Sequence, residues 1–172
     1  MRYGEVETCR ERLAKFCNGN GLDLGFGGNP IVPWAICIDQ NRPAHLPNPG
    51  PTHLVGDATR LRWFSDNVFD FVFSSHLLED FDDTAAVMLE WLRVIKRGGH
   101  LVLYLPNQQE YLRTCAKTGQ DINTSHKHAD FSLEYMQTVV LPRLNPIPVA
   151  IVHELYPVPN NPYSFDLVLK KQ

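Results

Sequence analysis

Four short stretches of the chain carry residue types that could grip a small polar ligand. Gly21-Leu22-Asp23-Leu24-Gly25-Phe26-Gly27-Gly28-Asn29-Pro30 runs from an apolar segment into a glycine turn, where bare backbone can approach a ligand and positive φ is tolerated. Asp39 closes the next apolar stretch, Trp34 to Ile38, and an acid there can accept both hydroxyls of a ribose diol. Asp57, after Thr52 to Gly56, can accept from an adenine amino group while the Ala58 amide donates to a ring nitrogen; Leu61 and Trp63 are near enough in sequence to wall the base. Ser74-Ser75-His76 follows a fourth apolar stretch. Nothing here cradles phosphate: a dinucleotide fingerprint counted from Gly25 needs glycine where Pro30 stands, and no Gly-Lys-Ser/Thr follows. A phosphate-free adenosine ligand is favoured over NAD or ATP.

The elements that must position these residues are legible in outline. Val6 to Phe16 reads as an amphipathic helix ended by Asn18-Gly19. Strands follow at Leu22, at Trp34 to Ile38 and at Thr52 to Asp57. Val68 to Ser74 is nearly all apolar, as expected of a parallel strand covered on both faces. Asp82 or Asp83 can cap the next helix, whose stripe is Ala85, Met88, Leu89, Leu92 and Ile95, with Lys96-Arg97 and Gly98-Gly99 at its end. A fifth strand runs from His100 to Leu105. Residues 108–140 read as helical around a polar loop from Gly119 to His128, and Val149 to Tyr156 and Ser164 to Lys170 are two last strands. Too few residues join those two for a helical crossover, so one of them is expected to be antiparallel. The reading is one α/β domain over residues 1–172, a Rossmann-like three-layer sandwich with a mostly parallel sheet. Every residue singled out above then lies at a strand's carboxyl end, where open α/β sheets bind ligands.

Leu22-Asp23-Leu24-Gly25-Phe26-Gly27, Ile38-Asp39, Gly56-Asp57-Ala58, Phe69 to Glu79 and Arg93 to Leu103 together resemble successive motifs of the class I S-adenosylmethionine-dependent methyltransferases. The resemblance covers roughly residues 20–106. It implies S-adenosylmethionine as cofactor, with Gly25 and Gly27 at the methionine part, Asp39 at the ribose, Asp57 and Ala58 at the adenine, and Ser74 to His76 near the methyl group. Asp23 and Gln40 complete the expected cofactor contacts. The sequence departs from the family at Asn29, where a third turn glycine is usual, and at Gln40, where an apolar residue often faces adenine. About a dozen residues separate Gly27 from Asp39, too few for the usual crossover helix, and the prolines between Arg42 and Pro51 argue against the second. The helix Val6 to Phe16 is expected to cover the sheet face so exposed, assisted by Trp34 or by a second subunit in a homodimer.

Methyl transfer from a sulfonium is an in-line displacement of an already activated group, so alignment can contribute on the order of 7–11 kcal/mol and a general base a further factor of about 10²–10⁴. Candidate bases are His76, Glu79, His126 and His128, with His76, His126 and His128 the expected catalytic set. Arg10, Arg12 and Lys15 read as a solvated helix face. Composition narrows the partners: a net charge of −3 over 172 residues argues against bulk nucleic acid. Four cysteines without a C-x-x-C pair signal neither a zinc site nor a disulfide framework, so no metal is expected and a reducing cytoplasm fits. The sequence signals neither a secretory leader nor a membrane span. These features favour a methyltransferase acting on a small or carbohydrate-like acceptor; the alternative is a noncatalytic adenosyl-binding or partner-binding module that retains the fold.

Overall fold

The computed structural model describes residues 5–40 and 49–172. Seven strands form one sheet in the order β3-β2-β1-β4-β5-β7-β6. They are β1 (Gly21–Leu24), β2 (Ile36–Asp39), β3 (Leu54–Val55), β4 (Phe69–Ser75), β5 (Ile95–Pro106), β6 (Val149–Leu155) and β7 (Ser164–Lys171). The first five are parallel, while β7 runs antiparallel to both β5 and β6. The expected mostly parallel Rossmann-like sheet with an antiparallel strand near the C-terminus is therefore observed. Reversal of strand order around β1 and β4 opens a crevice at their carboxyl ends.

Period-two alternation divides the core. On one face Leu22, Leu24, Val72, Leu101 and Leu103 pack against Met88, Trp91 and Leu92 of α2 (Thr84–Val94), and against Met136 and Val140. On the other face lie Phe71, Phe73, Val102, Tyr104 and Val168. That second face is covered by α1 (Glu5–Leu13) through Val6, Cys9 and Leu13, and by Ile31, Val32 and Ala35 from the link between β1 and β2. No helix lies in that link, so the first crossover is a packed loop, and α1 takes over the cover that a crossover helix would give. Trp34 contributes little to the cover: it is 55 % exposed and its indole nitrogen donates to Cys17 O. The proline-rich reading between Arg42 and Pro51 falls largely on residues 41–48, outside the described residues.

Three local readings change. The helix expected to end at Lys96-Arg97-Gly98-Gly99 stops at Val94, and Ile95 already pairs with Phe69 as the start of β5. Backbone pairing with β4 outweighs the helix-terminal signal of the basic pair and glycines. Arg12 is not on a solvated face, because its guanidinium forms a forked ion pair with the wholly buried Asp166 of β7, Nε to Oδ2 at 2.8 Å and Nη2 to Oδ1 at 3.1 Å. Arg10 also leaves solvent, reaching 19 to 21 residues along the chain to hold the glycine loop.

Candidate cofactor and acceptor site

The glycine loop is held from both sides. Beneath it, the Ile31 amide donates to Asp23 Oδ2 at 2.7 Å. Above it, Arg10 donates to Asn29 Oδ1 (2.6 Å), Pro30 O (2.9 Å) and Ile31 O (3.2 Å). Asn29, which departs from the family pattern, is thus a loop anchor for α1. Asp23 is fully buried, its Oδ1 finds no partner among the described residues, and burial pushes its carboxyl up to about 7, with the nearby Asp39 adding to the rise and Arg10 opposing it. Gly25 needs to be glycine: its φ is +65°, and a Cβ there would meet Leu77 Cδ2 at 2.7 Å.

A cavity of about 340 Å³ opens beside this loop, lined by Gly25, Ile38, Asp39, Gln40, Gly56 and Ala58 on the β1 to β3 side. Leu77, Asp80, Phe81, Ser125 and Lys127 close the other side. Asp39 stands at the end of β2 with Oδ2 accepting the Gly27 amide at 3.2 Å, and Oδ1 has no protein partner among the described residues. Ala58 is fixed because its carbonyl accepts the Trp91 indole of α2 at 2.8 Å. The Trp63 ring backs Gly56 so closely that a Cβ there would lie 2.5 Å from it. Bare backbone at two glycines, apolar walls and an acid with an open oxygen fit an adenosyl group.

The structure brings Gly25, Asp39, Gln40 and Ala58 together at this cavity. Asp57 stands apart from the wall: its Oδ1 accepts the Thr59 amide (2.8 Å) and hydroxyl (2.7 Å), which hold its carboxylate below the usual range. Ser74 is buried in β4, donating to Leu24 O at 3.0 Å. Leu61 is wholly buried in the core.

A second polar group lies next to the cavity, at the carboxyl ends of β4 and β5. His76 adopts φ 49° just after β4, and its Nε2 lies 3.0 Å from Ser164 Oγ and 3.7 Å from Glu5 Oε2. His126 sits 3.7 Å from Glu79 Oε1 through Nε2, while its Nδ1 meets Gln108 Oε1 at 2.5 Å. Burial lowers both imidazoles below the usual histidine value. His128 points elsewhere: Nε2 donates to Phe81 O at 2.8 Å, Thr84 Oγ1 lies 3.2 Å from the same nitrogen, and the ring packs beside Phe131 and Tyr135. Of the histidine pair at 126 and 128, one faces Glu79 and the other braces the start of α2. Among the described residues no cluster of three or more His, Cys, Asp or Glu side chains could hold a metal.

Sheet order and the place of the cavity are those of an open, Rossmann-like α/β fold. A family model described as a methyltransferase domain matches residues 22–103. An S-adenosylmethionine-dependent methyltransferase from Thermotoga maritima superposes with a TM-score of 0.67 at 18 % identity, covering 98 % of this chain and 88 % of that one. One from Archaeoglobus fulgidus gives 0.66 at 17 % identity over 98 % and 95 %. A chain of the Haloferax volcanii complex between the Trm112 methyltransferase activator and a methyltransferase gives 0.66 at 14 % identity over 96 % and 88 %. No curated protein matches the sequence significantly. The resemblance to the class I S-adenosylmethionine-dependent methyltransferases is thereby borne out, by the domain match over residues 22–103 and by the fold along the chain.

Proposed function

We propose that the protein is a methyltransferase that binds S-adenosylmethionine in the cavity beside Gly25 and methylates a small, hydroxyl-bearing or carbohydrate-like acceptor. The observation that carries this reading is Asp39, whose Oδ1 stands open at the wall between two glycine-backed surfaces. Asp39 accepts the ribose hydroxyls, the backbone of Gly56 to Ala58 borders the base, and Gly25 admits the methionine end. When bound, S-adenosylmethionine supplies a methyl group on a sulfonium. His76 and His126 hold the polar side of the site and take up the acceptor's proton. His128 supports the same site indirectly, by holding the loop that carries His126 against Phe81 and Thr84.

A small acceptor is favoured because few residues lie outside the sheet and its covering helices. Four unpaired, buried cysteines support a cytoplasmic setting. No helix among the described residues is long and apolar enough to cross a membrane. The test is methyl transfer from radiolabelled S-adenosylmethionine to a panel of polyols, sugars, phenols and amines. Labelled product from a hydroxyl acceptor, lost in Asp39→Ala, supports the reading. Cofactor binding with no transfer to any acceptor would favour the noncatalytic module instead.

A further inference from the structure

Glu79, one of the four candidate bases, takes an unusual place in the structure. It lies in a single 3₁₀ turn, Leu78–Asp80, just beyond β4, and is only 1 % exposed. Neither carboxyl oxygen has a hydrogen-bond partner among the described residues. Leaving a buried carboxylate unmatched costs several kcal/mol in an apolar setting, so such a group is retained at a position where its proton is used or its charge is cancelled. Among the described residues no lysine or arginine pairs with Glu79. Instead one of its oxygens, Oε1, is shared by two imidazoles: His76 Nδ1 at 3.8 Å and His126 Nε2 at 3.7 Å. The other acids nearby, Asp80 beside it and Glu5 at the start of α1, add repulsion and oppose its ionisation.

The surrounding hydrogen bonds fix which way protons face. Gln108 Oε1 can only accept, so the proton of neutral His126 sits on Nδ1 and the lone pair of Nε2 faces Glu79. The loop bearing His126 is pinned to the Glu79 turn by the Lys127 amide, which donates to Glu79 O at 2.9 Å. His76 is the more open of the two rings, with 14 % of its side chain exposed against 5 % for His126.

We propose that Glu79 carries a transferable proton and joins His76 and His126 into a relay that removes the acceptor's proton during methyl transfer. The proposal rests on the methyltransferase reading. As the acceptor's hydroxyl oxygen bonds to the methyl carbon, the carbon–sulfur bond breaks and leaves its electron pair on sulfur. The acceptor's proton goes to His76 Nε2, the proton on Nδ1 passes to Glu79 Oε1, and the Glu79 proton passes to His126 Nε2, which ends as imidazolium. Each hop needs the groups to close by ~1 Å to hydrogen-bond distance, as is common when an open site fills. Glu79 thus acts through the imidazoles and does not itself touch the acceptor. Burial, which pushes its carboxyl up to about 8, keeps it protonated at neutral pH.

The experiment follows the imidazole nitrogens of His76 and His126 by NMR in ¹⁵N-histidine-labelled full-length protein from pH 5 to 9, without acceptor. The relay predicts His126 in the Nδ1-protonated form and a step near pH 8 seen by both rings, absent in Glu79→Gln. If that variant does not fold, ¹³C-carboxyl glutamate labelling of the wild type reads the same step at Glu79 itself. In turnover assays Glu79→Gln lowers kcat at least tenfold and flattens the pH profile, with affinity for S-adenosylhomocysteine unchanged within twofold. Binding of S-adenosylhomocysteine with no shared step, or a step that survives Glu79→Gln, overturns the relay alone. Failure of the wild type to bind S-adenosylhomocysteine overturns the methyltransferase reading and the relay with it.

Discussion

Replacing Asp23 by asparagine separates the charge of this residue from its role as a hydrogen-bond acceptor. Asparagine keeps an oxygen for the Ile31 amide but cannot ionise, while its amide protons face the place where Asp23 Oδ1 now lacks a partner. That unpaired donor costs about 1–3 kcal/mol at every pH, so the level of stability is offset and the slope carries the information. In the folded chain Asp23 is raised to about 7, chiefly by burial, from 3.8. A raised carboxyl contributes stability that is fully present below pH 3.8 and is lost as pH rises to about 7. Relative to wild type, Asp23→Asn should therefore gain stability across that window, with a ceiling on the order of 4 kcal/mol. At roughly 2–4 °C per kcal/mol for a chain of this size, even a quarter of the ceiling is measurable. Differential scanning calorimetry of both proteins from pH 3.5 to 8 gives the comparison. Two Tm curves that stay parallel across the window would refute the buried, uncompensated charge.

Two other substitutions test the unusual cover of the sheet. Arg12→Ala leaves the buried Asp166 carboxylate with His153 Nε2, at 3.3 Å, as its one side-chain partner among the described residues, and should cost about 3–5 kcal/mol in urea denaturation; a loss under 1 kcal/mol would show the pair to be dispensable. Arg10→Ala removes three hydrogen bonds to the glycine loop, so S-adenosylhomocysteine affinity should fall about tenfold through lost preorganisation, and calorimetric titration showing unchanged affinity would sever α1 from the site.

What could be read from sequence was local. The glycine turn and the acid ending β2 announce themselves by residue type and by their place after apolar runs, so Gly25, Asp39 and Ala58 emerge at one cavity. The absence of a first crossover helix follows from counting residues, and α1 covers the face left bare. Long-range partners escaped the same reading. Helical periodicity places Arg10 and Arg12 on a polar face, but nothing in it reveals Asn29 or Asp166 opposite them. His126 and His128 share one polar loop, and only the packing of Gln108, Phe81 and Thr84 turns the first toward Glu79 and the second toward α2. Asp57 has the type and spacing of an adenine acceptor, yet the hydroxyl two residues on turns its carboxylate into the local loop. Glu79 emerges from residue type as a candidate base, but its burial in a 3₁₀ turn between two imidazoles depends on long-range packing.

The central claim is that Asp39 holds the ribose of an adenosyl cofactor in the cavity beside Gly25. Calorimetric titration of S-adenosylhomocysteine into wild type and Asp39→Ala addresses it directly. The account predicts one site per chain and at least a tenfold loss of affinity in the variant, with Tm unchanged within a few degrees. Equal affinity in the two proteins, or no heat from the wild type at millimolar ligand, would contradict it.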